Sequence, residues 1–164
     1  MDINFIIISV VFCAYGMWFT LAVFNNIADF QTNRLLIAKM MSMEEIKSDP
    51  YMGNNLQWRA LDDMRWSLVV FILVISYQAF IMLQFFTVGF DLFRDLFSGA
   101  SISPELIVSV SMTFLMTTVL WFFFLIGGLW FGYWIKMPQL QIAHILLVIL
   151  TLFCLTIVNV LYRV

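Results

Sequence analysis

Four stretches without a charged side chain take up most of this chain: Ile3 to Ala28, Trp66 to Phe90, Leu106 to Ile135 and Met137 to Tyr162. Each exceeds the roughly 20 residues needed to cross a hydrocarbon core of about 30 Å. No water reaches the backbone inside lipid, so a crossing segment closes its own hydrogen bonds as a helix or joins a closed barrel. Runs such as "WFFFLIGGLWFGYW" lack the alternation of a barrel strand. An all-α fold follows, a bundle of four transmembrane helices forming one domain over residues 1–164, with helices expected at about 3–28, 66–90, 106–135 and 139–162. Charged residues are only 11% of the chain, far below the quarter or so usual in a soluble domain.

Only Met1 and Asp2 precede the first run, with no basic segment before it and no small-residue cleavage site after it, so this helix is expected to be retained. Cys13 follows Phe12, which argues against lipidation, and both Cys13 and Cys154 fall within apolar runs as small packing residues rather than a disulfide or metal pair.

The connection over residues 29–65 holds most of the polar chemistry. "TNRLLIAKMMSMEEIKSDP" predicts a short amphipathic helix over about 33–47, capped by Thr32 or Asn33, with Pro50 just beyond its end. Leu36, Met40 and Met43 share one side, with Leu35, Ile37, Met41 and Ile46 widening an apolar face that suits the membrane surface. Thioethers such as those of Met40, Met41 and Met43 suit Cu(I), but no Cys or His accompanies them, so apolar anchoring is the expectation and neither metal nor cofactor is expected.

Before that helix, Asn25, Asp29 and Asn33 recur every fourth residue and share one face if the first helix continues past Phe24. With Asn26, Trp58 and Arg59 they are expected to form a polar cap that folds the connection over the end of the bundle or meets a partner. Arg59 is the expected ionic partner of Asp29, because a carboxylate near the interface costs less when paired. The sharper alternative is a small hydrated site for a cation or a polar head group, built from Asp29 and the amide oxygens of Asn25, Asn26 and Asn33.

In the third run Gly128 and Gly132 form a G-x-x-x-G pair, with Gly127 beside them, where small residues let another helix approach. Ser109, Thr113 and Thr117 make a polar stripe on the same helix, read as helix-to-helix hydrogen bonding. Trp66, Trp130, Tyr133 and Trp134 read as interfacial belt residues. In the middle of the runs no charge is found and only Gln78, Gln84, His144 and Asn159 are available, which argues against an ion-coupled pump. A single His144 cannot supply two axial ligands to a haem. The chain carries no Gly-rich phosphate loop, H-E-x-x-H, paired-Cys motif or G-x-S-x-G, so an enzyme is not expected. A net charge of -2 without a basic patch excludes a nucleic-acid footprint. Arg34, Lys39, Lys47, Arg59 and Arg65 lie in the first connection against only Arg94 in the second, which places the first connection in the cytoplasm by the positive-inside rule.

"FNNIADFQTN", "MMSME", "LQWRAL" and "GGLWFGYW" together resemble the motifs of a bacterial family of small predicted integral membrane proteins, known as a domain of unknown function. The resemblance implies a four-helix protein of the bacterial inner membrane without an established activity. It carries over Asn25, Asn26, Asp29, Asn33, Met43, Trp58, Arg59, Gly127, Gly128, Phe131 and Trp134 as shared positions and gives none of them a role. Relatives tend to have Glu where this chain has Gln78 and Leu129, and their basic N-termini and second connections imply the opposite orientation to the charge count made here. Two classes of function fit. One is binding of another membrane or membrane-targeting protein, as an accessory subunit or as an immunity protein, with a homodimer compatible. The other is a small transporter or channel along Ser109, Thr113, Thr117 and Gln78.

Overall fold

The computed structural model describes residues 3–163, and every regular element among them is helical. In chain order these are α1 (Ile3–Ala28), α2 (Phe30–Met41), α3 (Glu44–Lys47), a 3-10 turn (Asn54–Arg59), α4 (Met64–Ser98), α5 (Pro104–Phe131), a second 3-10 turn (Tyr133–Ile135) and α6 (Pro138–Arg163). Four of them, α1, α4, α5 and α6, are long and apolar enough to cross a membrane. α1 packs chiefly on α4 and α5 on α6, and contact between α4 and α5 joins the two pairs into one bundle.

Local chemistry sets the ends. Ser103 caps α5 by accepting from the Leu106 N–H at 3.1 Å, Pro104 occupies the first turn, and Gly132 stops the helix at φ 65. The third spanning helix therefore ends at Phe131, short of the expected Ile135. α4 goes the other way, past Phe90 to Ser98, where Gly99 closes it at φ 74. At 35 residues it is about 52 Å long, more than a hydrocarbon core requires. Its last turns carry Asp91, Arg94 and Asp95, and Arg94 bridges both carboxylates, at 2.8 and 3.0 Å. The charges at Asp91 ended the apolar run without ending the helix, because charged side chains are ordinary helix formers once outside lipid.

The predicted amphipathic helix begins earlier and breaks in two. Asp29, rather than Thr32 or Asn33, is the cap: its Oδ1 accepts from the Thr32 N–H at 3.3 Å. Met43 then adopts φ 56, the left-handed region, and separates α2 from the single turn α3. α2 lies against α4, with Phe30 edge-on to Phe71 at 4.8 Å.

The core of the bundle is aromatic. Phe12, Phe19, Phe85 and Phe114 are buried, and ring contacts at 4.6 to 5.8 Å link α1, α4 and α5. Gly16 lets α1 and α4 approach: a Cβ there would lie 3.2 Å from the Phe85 Cβ. Deeper in the core the Thr151 hydroxyl of α6 ties three helices together. It donates to the Leu147 carbonyl at 2.8 Å, accepts from the Trp121 indole N–H of α5 at 3.1 Å, and lies 3.3 Å from the Tyr15 hydroxyl of α1.

Candidate functional site: the capped end and the polar groups within the helices

The chain between α1 and α4 folds back over the end of the bundle where α5 turns into α6. Apolar side chains hold it there. Met41, Met43 and Ile46 are buried, and Ile46 meets both turns: a Cβ on Gly53 would come within 2.5 Å of it and one on Gly132 within 2.9 Å. Both glycines have positive φ, so the same positions need the left-handed backbone and the missing side chain. The Leu61 N–H donates to the Met41 carbonyl at 2.9 Å, closing the loop on itself. Two ion pairs add to this, Lys47 with Asp62 at 2.5 Å and Lys136 with Asp49. The second pair bridges the first connection to the α5–α6 turn. The Lys136 ammonium, the Tyr51 and Met52 backbone N–H groups and the charge of Lys136 hold the Asp49 carboxyl at about 2, well below its usual range.

The residues expected to form a polar cap divide among separate tasks. Asn26 reaches α4 and donates to the Gln78 side-chain oxygen at 2.7 Å. Asp29 caps α2, and Asn33 donates to the Asp29 carbonyl at 3.4 Å. Asn25 is exposed. The residues expected to form a cation or head-group site are turned to separate tasks: the Asn26 amide nitrogen is spent on Gln78 of α4, while an Asp29 carboxylate oxygen caps α2. The expected Asp29–Arg59 pair does not form. Arg59 instead lies at the end of its 3-10 turn with its guanidinium carbon 5.3 Å from the Trp58 ring centre and 5.1 Å from that of Trp130, and donates to the Trp130 carbonyl at 3.4 Å. Aromatic faces and a carbonyl have taken the place of a carboxylate, because the turn carries Arg59 toward α5 rather than toward α2.

The three glycines also differ from one another. Gly128 leaves room inside the α5–α6 hairpin: a Cβ there would sit 2.0 Å from the Gln141 Oε1 and 2.7 Å from the Tyr133 ring. Tyr133 uses that room to donate to the Phe124 carbonyl at 3.0 Å and to lie 3.2 Å from the His144 Nδ1. Gly132 is the helix stop rather than a helix contact, and Gly127 faces open space.

Of the four mid-span polar residues singled out in the sequence, three have partners within the chain: Gln78 with Asn26, His144 with Tyr133, and Asn159 with the Ser111 hydroxyl at 3.1 Å. Among the described residues the Gln84 side chain of α4 has no hydrogen-bond partner, and it is partly exposed on the flank that also carries Tyr77, whose hydroxyl donates to the Met116 carbonyl of α5. The hydroxyls of Ser109, Thr113 and Thr117 each donate to the carbonyl four residues earlier, at 2.9 to 3.0 Å, and both threonines are buried. The stripe is therefore satisfied by its own helix.

Sequence reading passed over Gly16, Thr151 and the Asp49–Lys136 bridge. A lone glycine in the middle of an apolar helix signals a close approach and could have singled out Gly16; the partners of Thr151 and Asp49 lie 30 and 87 residues away and leave no local signature.

Nothing matches the chain among curated proteins or among solved structures. One family model matches residues 5–161, that of a predicted small integral membrane protein (DUF2165). With four spanning helices and a match over nearly the whole described chain, this protein belongs to that family of small integral membrane proteins.

Proposed function

We propose that the protein is an accessory subunit that binds another integral membrane protein through the Gln84 flank of α4. The observation that carries this is the missing partner of Gln84. A carboxamide in hydrocarbon without a hydrogen bond is costly, whereas Gln78, His144 and Asn159 each find one inside the chain. Beside it lie Phe80 and Thr87, both exposed, which give a neighbouring helix apolar surface to pack against. A helix presenting a hydroxyl, amide or free carbonyl would complete the site, and interhelical hydrogen bonds of this kind contribute about 0.6 to 1.7 kcal/mol.

Binding rather than conduction is favoured by the hydroxyl stripe, which turns onto its own backbone instead of lining a hydrated path. The test is affinity purification from native membranes in a gentle detergent, comparing the wild type with Gln84→Leu and Gln84→Asn. A stoichiometric membrane protein retained by the wild type and Gln84→Asn, and weakened about 3- to 18-fold in Gln84→Leu, is the expected outcome. Equal recovery of partner with Gln84→Leu refutes the assignment.

A further inference from the structure

Arg59 has no carboxylate within ion-pair distance among the described residues. Lys47, Arg65 and Lys136 each have one, whereas Arg59, like Arg34 and Lys39, has none; Arg59 alone of these three is held between two indoles. Its guanidinium donates a single hydrogen bond, to the Trp130 carbonyl, and its Nε is buried without an acceptor. Two indoles clamp it, Trp58 at 72% exposure and Trp130 at 48%, with their rings edge-to-face at 5.9 Å. Trp66 at the start of α4 and Trp134 just after α5 are exposed at the same end of the bundle. Exposed tryptophans at one end of a spanning bundle mark the depth of the lipid head groups, so Arg59 is fixed at the level where phosphates lie.

One turn before Trp130, the exposed stripe of α5 is interrupted. A Cβ added to Gly127 would meet nothing within 4 Å, while Phe123 one turn earlier and Trp130 one turn later both project outward. The gap lies on the hydrocarbon side of the tryptophans and is open to an acyl chain.

We propose that Arg59, held between Trp58 and Trp130, binds the phosphate of an anionic phospholipid, with an acyl chain of the same molecule lying in the Gly127 notch. A guanidinium suits a phosphate because its planar donors match two phosphate oxygens. An anionic lipid is preferred over a zwitterionic one because the latter brings its own ammonium to a site whose charge is already positive. The notch separates a lipid from free phosphate, which has nothing to place there.

The experiment is native mass spectrometry of the full chain in mild detergent, titrated with phosphatidylglycerol and with phosphatidylcholine of the same acyl chains. The wild type is expected to prefer phosphatidylglycerol by about fivefold, the attraction usual for one basic side chain near an anionic surface. Arg59→Gln abolishes the preference, and Arg59→Lys retains part of it. Gly127→Leu enters open space and does not lower the unfolding transition, yet it weakens binding of both lipids. Trp58→Leu, at an exposed ring, weakens phosphatidylglycerol binding and serves as the readout should Arg59→Gln not fold. Equal binding of the two lipids by the wild type, an unchanged preference in Arg59→Gln, unchanged binding in Trp58→Leu, or displacement of the lipid by inorganic phosphate would each overturn the proposal.

Discussion

Adjacent glycines on α5 should respond oppositely to the same substitution. Gly127→Ala places a methyl group in open space, so only the intrinsic helix preference changes, a stabilisation of up to about 1 kcal/mol. Gly128→Ala directs a methyl group to a point 2.0 Å from the Gln141 Oε1 and 2.7 Å from the Tyr133 ring, distances that real contacts do not reach. Gln141 can withdraw, because the clashing atom is the far end of a flexible side chain. Tyr133 cannot easily follow, since it belongs to a 3-10 turn and donates to the Phe124 carbonyl. Overpacking of about 1 to 3 kcal/mol plus one lost hydrogen bond of about 0.5 to 1.5 kcal/mol outweighs the helix gain of about 1 kcal/mol. The net destabilisation is about 0.5 to 3.5 kcal/mol, and the two variants differ by roughly 1.5 to 4.5 kcal/mol, since the helix gain is common to both. The assay is unfolding by sodium dodecyl sulfate in mixed micelles, followed by far-ultraviolet circular dichroism. Combining Gly128→Ala with Gln141→Ala should recover part of the loss, because the clash then lacks one partner. Equal stability of Gly127→Ala and Gly128→Ala would refute the packing assigned to the α5–α6 hairpin.

Other expectations follow from the same contacts. Thr151→Val removes the acceptor of the buried Trp121 N–H and should cost about 1 to 3 kcal/mol in that assay, while Thr151→Ser restores most of it. Asp29→Ala and Arg59→Ala should add without coupling, because Asp29 caps α2 and Arg59 lies against Trp58 and Trp130; a coupling above about 0.5 kcal/mol in a double-mutant cycle would revive the ion pair. The Asp49 carboxyl is held at about 2 against an ordinary value near 3.8, so its contribution is complete above about pH 4 and fades as pH falls toward 2. Melting temperatures of the wild type and Asp49→Asn should therefore differ at pH 7 and converge near pH 2; a constant difference down to pH 2 would dismiss the pair's role.

The spans were legible because hydrocarbon imposes one rule on every residue inside it: an uncharged run of sufficient length has to be a helix. Their ends were less so. Charge at Asp91 marks where lipid ends, whereas α4 continues until Gly99, and the apparent continuity of the third run hid the stop at Gly132, where positive φ matters more than hydrophobicity. Regular spacing misled at the polar cluster. Asn25, Asp29 and Asn33 share a face only on an unbroken helix, and Asp29 is the residue at which the helix breaks to be capped. The cap itself is mostly apolar, centred on Ile46, and the Asp49–Lys136 ion pair to the α5–α6 turn joins residues that no pattern connects. Gln78, Gln84, His144 and Asn159 all stand out in the sequence as mid-span polar residues, but only the fold distinguishes the three satisfied ones from Gln84.

The most direct test of the proposed partner is a photoreactive amino acid at position 84 of the full chain, activated in native membranes, with Leu146 on the exposed side of α6 as the comparison position. A discrete adduct with one other polypeptide at position 84 and none at position 146 is the predicted result. Adducts with lipid alone at both positions would contradict the assignment of α4 as a binding face.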